Sequence, residues 1–162
     1  IAMELNVPEF RRTLSHSAFG EGWALYTERL GKEAGFYQSP YSDFGRLGYE
    51  MWRAVRLVVD TGIHAFGWSR QKAIDYLASH TALPQSAVED QIDRYISWPG
   101  QALSYKMGEI KIRELRAKAE KELGTQFDIR SFHDTVIGQG SLPMAVLEDV
   151  INDWIAEQKP VS

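Results

Sequence analysis

The sequence has no cysteine, no long apolar run and no marked excess of charge of one sign. Without cysteine, the chain has no disulfide scaffold, thiolate zinc site or cysteine nucleophile, although such a chain is compatible with any redox compartment. Its 18 basic and 22 acidic residues are interspersed, so no basic patch marks a surface for nucleic acid or anionic lipid. We therefore expect no nucleic-acid partner, and the compartment stays open.

The chain also lacks the roughly 18 consecutive apolar residues expected of a membrane span. The best candidate, Val55 to Phe66, contains Arg56, Asp60 and His64, so we expect no span. The sequence begins Ile1-Ala2-Met3-Glu4, with no initiator methionine, basic leader or apolar signal core. This start predicts a truncated or processed product, and leaves open whether a parent protein is exported.

Apolar residues are spaced as in helices nearly everywhere. They make up 44% of 162 residues, which is enough to bury one core without disulfides, and the chain has no linker or repeat. No run alternates with period two as a half-buried strand would. The sequence predicts an all-α, compact bundle of about seven helices that forms a single domain over residues 1–162.

The ends of the seven predicted helices are marked by turn and capping residues. Gly35 and Gly67 are candidate left-handed caps, Ser69 and Asp128 are candidate N-caps, and Ser86-Ala87-Val88-Glu89 after Pro84 has the pattern of a capping box. The helices are predicted from about Ala18 to Ala34, Ser42 to Phe66, Ser69 to beyond Leu77, Pro84 to Ile96, Gln101 to Leu123, Asp128 to Val136 and Pro143 to Ile155.

Three acidic or basic side chains fall on otherwise apolar helical segments. Glu21 precedes Gly22 and Trp23 and is either a functional carboxylate or a favourable charge at a helix N-terminus. Asp60 and His64 are four residues apart, which lets a carboxylate orient an imidazole that donates to a substrate. A purely structural hydrogen bond between them is the alternative.

A second polar group surrounds the Trp98-Pro99-Gly100 break. In the segment from Arg94 to Tyr105 a tyrosine hydroxyl could stabilise an oxyanion and Arg94 could bind a carboxylate, with the amide of Gln101 nearby. Aromatic residues at a helix junction also commonly belong to a core. No two histidines have the HExxH spacing, and zinc normally needs at least three protein ligands. The chain alone therefore offers no complete metal motif.

Four segments, in order, resemble the bacterial family called domain of unknown function 885. They are Glu21 to Leu30, Asp60 to His64, Trp98 to Gly108 and Phe127 to Asp134, and the resemblance covers the chain from about Phe10 to Trp154. The family resembles helical zinc peptidases of the gluzincin type, akin to carboxypeptidase Taq and angiotensin-converting enzyme. In these an upstream helix supplies two histidine ligands and the general-base glutamate.

By this resemblance Glu21 is the third zinc ligand, and His64 and Tyr105 hold the substrate carbonyl and the oxyanion. Asp60 would orient His64 from the second coordination shell, and Arg94 and Gln101 would bind substrate. The His-Glu helix is absent, since Ile1 falls about where that helix should end. The resemblance implies zinc-dependent hydrolysis of peptide bonds by the parent protein, with no metal bound and no activity in this chain alone.

A second function is also compatible with the sequence. The chain could be a non-enzymatic helical module that binds a partner or oligomerises. Loss of a neighbouring helix would expose apolar surface. We therefore expect a homo-oligomer formed through that surface under either interpretation.

Overall fold

The computed structural model describes residues 4–159, which form eight α-helices and no strand. The fold class predicted from the sequence is confirmed. The start of the chain at residues 1–3, on which the predicted truncation depends, lies outside the described residues. The helices are α1 (Glu9–Thr13), α2 (Ser17–Glu33), α3 (Pro40–Phe66), α4 (Arg70–His80), α5 (Gln85–Ser97), α6 (Ser104–Leu123), α7 (Ile129–Ile137) and α8 (Met144–Gln158).

Local capping chemistry defines several helix ends as predicted. Gly35 and Gly67 adopt positive φ angles of 77° and 63° where α2 and α3 end, a conformation that costs glycine little because it has no Cβ. The Ser69 hydroxyl accepts the Lys72 amide at the start of α4. The Asp128 carboxylate accepts the Arg130 amide at the start of α7.

Two local predictions were wrong, and one short helix was missed. The capping box at Ser86 does not form, because α5 begins at Gln85 and Ser86 is already inside its first turn. The predicted helix from Gln101 begins as a 3₁₀ turn, Gln101–Leu103, before α6. The sequence pattern also missed α1, a single helical turn after Pro8 that buries none of its residues and so carries no amphipathic signal.

The buried apolar side chains form two separate clusters. One joins α2, α6, α7 and α8 around residues such as Tyr26, Ile112, Phe132 and Ile151. The other joins α3, α4 and α5 around residues such as Val59. Between the two clusters, polar contacts connect α3 to α2 and α6.

The apolar positions of α3 do not all face the core. Val55 and Val59 are buried against α4 and α5, as expected from their spacing. Leu47, Met51 and Val58, predicted to share that face, are 47%, 52% and 40% exposed. They lie on the adjoining side of the helix, where they stay partly open to solvent.

No helix in the described part of the chain is long and apolar enough to cross a membrane.

Candidate functional site

Helices α2 and α6 lie side by side, and each carries one sequence-predicted residue near its N-terminal end. Gly22 of α2 contacts Gly108 of α6 backbone to backbone, and farther along both helices Arg116 donates to the Tyr26 hydroxyl, so α2 and α6 run parallel. The N-terminal ends of these helices are therefore adjacent. Glu21 lies beside this contact, and Tyr105 lies one turn from it.

Helix α3 runs in the opposite direction beside them. Its Arg53 approaches Glu28 of α2 at 3.8 Å. The later part of α3 meets the start of α6, because Arg56 packs on the Tyr105 ring and Asp60 accepts the Gly100 amide just before that helix.

Glu21 itself is half-buried in the first turns of α2. It makes no hydrogen bond or ion pair with any other residue between 4 and 159. Its carboxylate oxygens therefore keep their full capacity to accept hydrogen bonds or to bind a cation.

Asp60 is buried, and both of its carboxylate oxygens accept the Gly100 amide, at 3.1 and 3.2 Å. Burial raises the pKa of this carboxyl, and the Gly100 amide and the charges of His64 and Arg94 oppose the rise. Asp60 thus fixes the turn that follows α5, where Gly100 has a positive φ of 79°.

His64 is anchored to α5 by its ring. Its Nε2 lies 2.9 Å from the Tyr95 carbonyl oxygen, and because a carbonyl only accepts, Nε2 carries the proton and donates it. The other ring nitrogen, Nδ1, can donate to a substrate only when the imidazole is protonated.

Tyr105 is half-buried, and its ring packs on the guanidinium of Arg56, with Arg56 Cζ 4.3 Å from the ring centroid. Arg56 Nε donates to the Tyr95 hydroxyl at 2.9 Å, and Trp52 Nε1 donates to the same oxygen at 3.2 Å. The two proposed donors, His64 and Tyr105, are therefore connected through Arg56 and Tyr95.

Arg94 and Gln101 contact each other directly. Arg94 Nη1 donates to Gln101 Oε1 at 2.5 Å, and its Nε and Nη2 lie 3.4 and 3.3 Å from Gln91 Oε1. Both residues are half-buried beside the turn that Asp60 holds. The guanidinium of Arg94 is thus already hydrogen-bonded on both of its sides.

Sequence reasoning missed Arg56 and Tyr95, which occupy the centre of this region. Tyr95 is fully buried, and Arg56 is 4% exposed. A signal was present, since Arg56, Asp60 and His64 repeat every four residues along an otherwise apolar helix. The partner Tyr95 lies 39 residues from Arg56 and no local pattern connects the two.

No group of three histidine, aspartate or glutamate side chains suited to a metal ion occurs within residues 4–159. Glu21 has the chemistry of one zinc ligand, because it is a carboxylate without a described partner. The chain's described residues therefore fit a part of a zinc site, and further ligands would have to come from elsewhere.

Comparison with known proteins gives a family and a solved relative. The model of the family described as "Bacterial protein of unknown function (DUF885)" matches residues 1–151. A crystal structure of a Colwellia psychrerythraea protein, provisionally described as a lipoprotein, is 48% identical with a TM-score of 0.90. The match covers 91% of this chain but only 26% of that chain. No curated protein matches the sequence. The chain therefore belongs to the DUF885 family of bacterial proteins.

Proposed function

We propose that this chain is part of a zinc metallopeptidase and supplies one metal ligand together with the groups that bind the reacting carbonyl. The observations that support it best are the contact of α2 with α6 beside Glu21 and the chain of contacts that joins Tyr105 to His64. Gly22 contacts Gly108 beside Glu21, and Arg56 connects Tyr105 to the residue that holds His64.

Each of these side chains has a distinct role in the proposal. Glu21 would hold the metal through its carboxylate, which has no partner among residues 4–159. Bound zinc would supply Lewis-acid polarisation of the carbonyl and a lowered pKa of water. Tyr105 donates its hydroxyl proton to the developing oxyanion, and it makes no hydrogen bond with another described residue that would compete. His64 donates from Nδ1 in its protonated form.

Asp60, Arg94 and Gln101 support these groups. Asp60 holds the Gly100 turn. Arg94 and Gln101 are already hydrogen-bonded to each other. The N–H groups of the Gln101 side-chain amide then bind the substrate. Substrates are peptides, and the reaction is hydrolysis of a peptide bond.

The remaining ligands and the general base would come from a part of the protein outside this sequence. The solved relative is consistent with this, because the match accounts for only 26% of that chain. A histidine and glutamate helix from such a part would have to reach the end of α2 at Glu21. This chain alone is then inactive and binds zinc weakly.

Zinc titration and a peptidase assay test the proposal, performed on this chain and on a chain extended upstream. We expect stoichiometric zinc and peptide hydrolysis only in the extended chain. An extended protein that folds but takes up no zinc and cleaves no peptide would contradict the proposal.

A second candidate function has its own supporting observation. Phe44, Leu47, Met51 and Val58 are exposed along one side of α3 and repeat at intervals of three, four and seven residues, the spacing of a helix-binding surface. We call these four residues the α3 stripe. A contiguous apolar stripe of this kind favours a binding or oligomerisation module, with a second copy of the chain as the expected occupant.

A further inference from the structure

Arg56 is a buried cation without a carboxylate partner. Its side chain lies between the Trp52 and Tyr105 rings, with Cζ 4.4 and 4.3 Å from their centroids. No carboxylate lies within 4 Å of it in the described part of the chain, and its Nη1 is buried without any hydrogen-bond partner. Removing an unpaired charge from water is costly, so an anion is the group that this position lacks.

Arg53, one turn earlier on α3, also has a guanidinium nitrogen without a hydrogen-bond partner in the described part of the chain. Its Nε is buried without a partner, and its Nη2 is 3.8 Å from Glu28, too far for a good hydrogen bond. Burial lowers the pKa of Arg53, the Glu28 charge opposes this, and the like charge of Arg56 adds to the lowering. Arg53 Cζ lies 5.2 Å from the centroid of the same Trp52 ring, so the two cations are close neighbours.

We propose that Arg53 and Arg56 bind the C-terminal carboxylate of a peptide, an inference that rests on the proposed function for its place in catalysis. Two guanidinium groups with unused N–H donors match the two oxygens of a carboxylate. Arg94 matches this group less well, because its nitrogens are already bonded to Gln91 and Gln101.

The position of the arginines sets the substrate class. Arg56 packs directly under the ring of Tyr105, the proposed oxyanion donor. A carboxylate held there is close to the bond being cleaved. The enzyme would then remove residues from the C-terminal end of peptides instead of cutting within a chain.

An open cavity gives a route to these groups. It has a volume of about 490 Å³ and is lined by residues that include Glu28, Tyr49 and Arg53. Arg53 lines this cavity, and its Nη1 donates to the Tyr49 carbonyl. A carboxylate that enters here meets Arg53, and Arg56 follows one turn later on α3.

Titration of this chain with N-acetyl-dialanine and with its C-terminal amide tests the proposal without metal. The readouts are the NMR resonances of the arginine Nε–H groups and of the Tyr105 ring. We expect saturable shifts with the free acid and none with the amide. Arg56→Gln should weaken binding at least about tenfold, because charged hydrogen bonds contribute more than neutral ones.

The controls separate the possible outcomes. Arg70→Gln removes an exposed guanidinium that is paired with Asp93 and should leave the affinity unchanged. Arg53→Gln repeats the test if Arg56→Gln does not fold, as judged by circular dichroism. Equal binding of acid and amide, or unchanged affinity in a folded Arg53→Gln or Arg56→Gln variant, would overturn the proposal.

Acetate distinguishes a peptide terminus from any other carboxylate. Binding of acetate as tight as that of N-acetyl-dialanine would refute the assignment to a peptide terminus. The test is also independent of the peptidase proposal. If this chain binds the free acid but its extended form takes up no zinc, the carboxylate site is supported and the metallopeptidase mechanism is refuted.

Discussion

Gly22 of α2 and Gly108 of α6 touch through their backbones at the crossing beside Glu21. A Cβ atom placed on Gly22 would lie 2.5 Å from the Gly108 carbonyl carbon, and one on Gly108 would overlap the carbonyl oxygen of Ala18. Neither neighbour can rotate away, because both are backbone. This close approach sets the distance between the helices that carry Glu21 and Tyr105.

We expect Gly22→Ala to destabilise the fold by about 1–3 kcal/mol, because the added methyl group must separate α2 from α6. Gly20 is the matched control, since it lies in the same helix and has no atom within 4 Å of the position of a Cβ. Gly20→Ala should stabilise by about 0.5–1 kcal/mol through helix propensity. Urea denaturation measures both. Equal effects of the two substitutions would show that the crossing is loosely packed.

The two serines that the sequence marked as caps should respond differently to alanine. Ser69 accepts the Lys72 amide at 3.2 Å, so Ser69→Ala should cost about 1 kcal/mol of stability. Ser86 is exposed inside the first turn of α5 and caps nothing, so Ser86→Ala should be neutral or slightly stabilising. Thermal or urea unfolding of both variants checks this, and a comparable loss in Ser86→Ala would contradict the observed start of α5.

Helix ends were predictable where the deciding interaction is local. Gly35 and Gly67 permit positive φ angles, and the side chains of Ser69 and Asp128 bind amides two or three residues later. Periodicity along one helix also predicted the buried Val55 and Val59. It could not show that the adjoining Leu47, Met51 and Val58 stay exposed, because burial depends on neighbours that the periodicity of one helix does not specify.

The same distinction applies to the candidate site. The pairing of Arg94 with Gln101 spans only seven residues and follows from the turn at Gly100. The bond from Arg56 to Tyr95 spans 39 residues and depends on how α3 packs on α5. Individual candidate residues could therefore be selected from their chemistry. The position of Arg56 beneath Tyr105, in contrast, could be recognised only from the tertiary structure.

His133 makes stability depend on pH. Its Nε2 lies 2.7 Å from the Tyr26 hydroxyl, which also accepts from Arg116, so a neutral imidazole can accept the hydroxyl proton. Burial, and then the Arg116 charge, lower the pKa of His133 from its usual 6.5, while the charges of Asp134 and Glu33 oppose this. The unfolded chain therefore binds more protons just below pH 6.5, and stability falls as the pH decreases through this window.

His133→Gln should reduce this loss, because glutamine does not titrate. Urea unfolding from about pH 8 to about pH 5 gives the free energy of unfolding of the variant and of the native chain. In the difference between the two values, the contributions of the other titrating groups cancel because both proteins contain them. Parallel curves for the two proteins would contradict a buried, neutral His133.

The α3 stripe should mediate self-association. Val58→Glu places a charge in the stripe, and we expect it to shift the chain from dimer or larger oligomer to monomer in sedimentation velocity experiments. Val146→Glu on α8 is the matched control, since Val146 is 42% exposed compared with 40% for Val58 and lies outside the stripe. A native chain that is monomeric at micromolar concentration would refute this prediction.

Glu21→Gln tests the metal ligand in a protein extended upstream of this chain. A neutral amide is a poor zinc ligand, so we expect loss of stoichiometric zinc while the fold remains intact. Glu28→Gln is the matched control, because Glu28 lies two turns farther along α2, near Arg53, and has no proposed role in metal binding. Metal analysis after dialysis, with circular dichroism, separates loss of zinc from loss of fold. Retained zinc in Glu21→Gln would exclude this carboxylate as a ligand, whereas loss in both variants would indicate a general charge effect of α2.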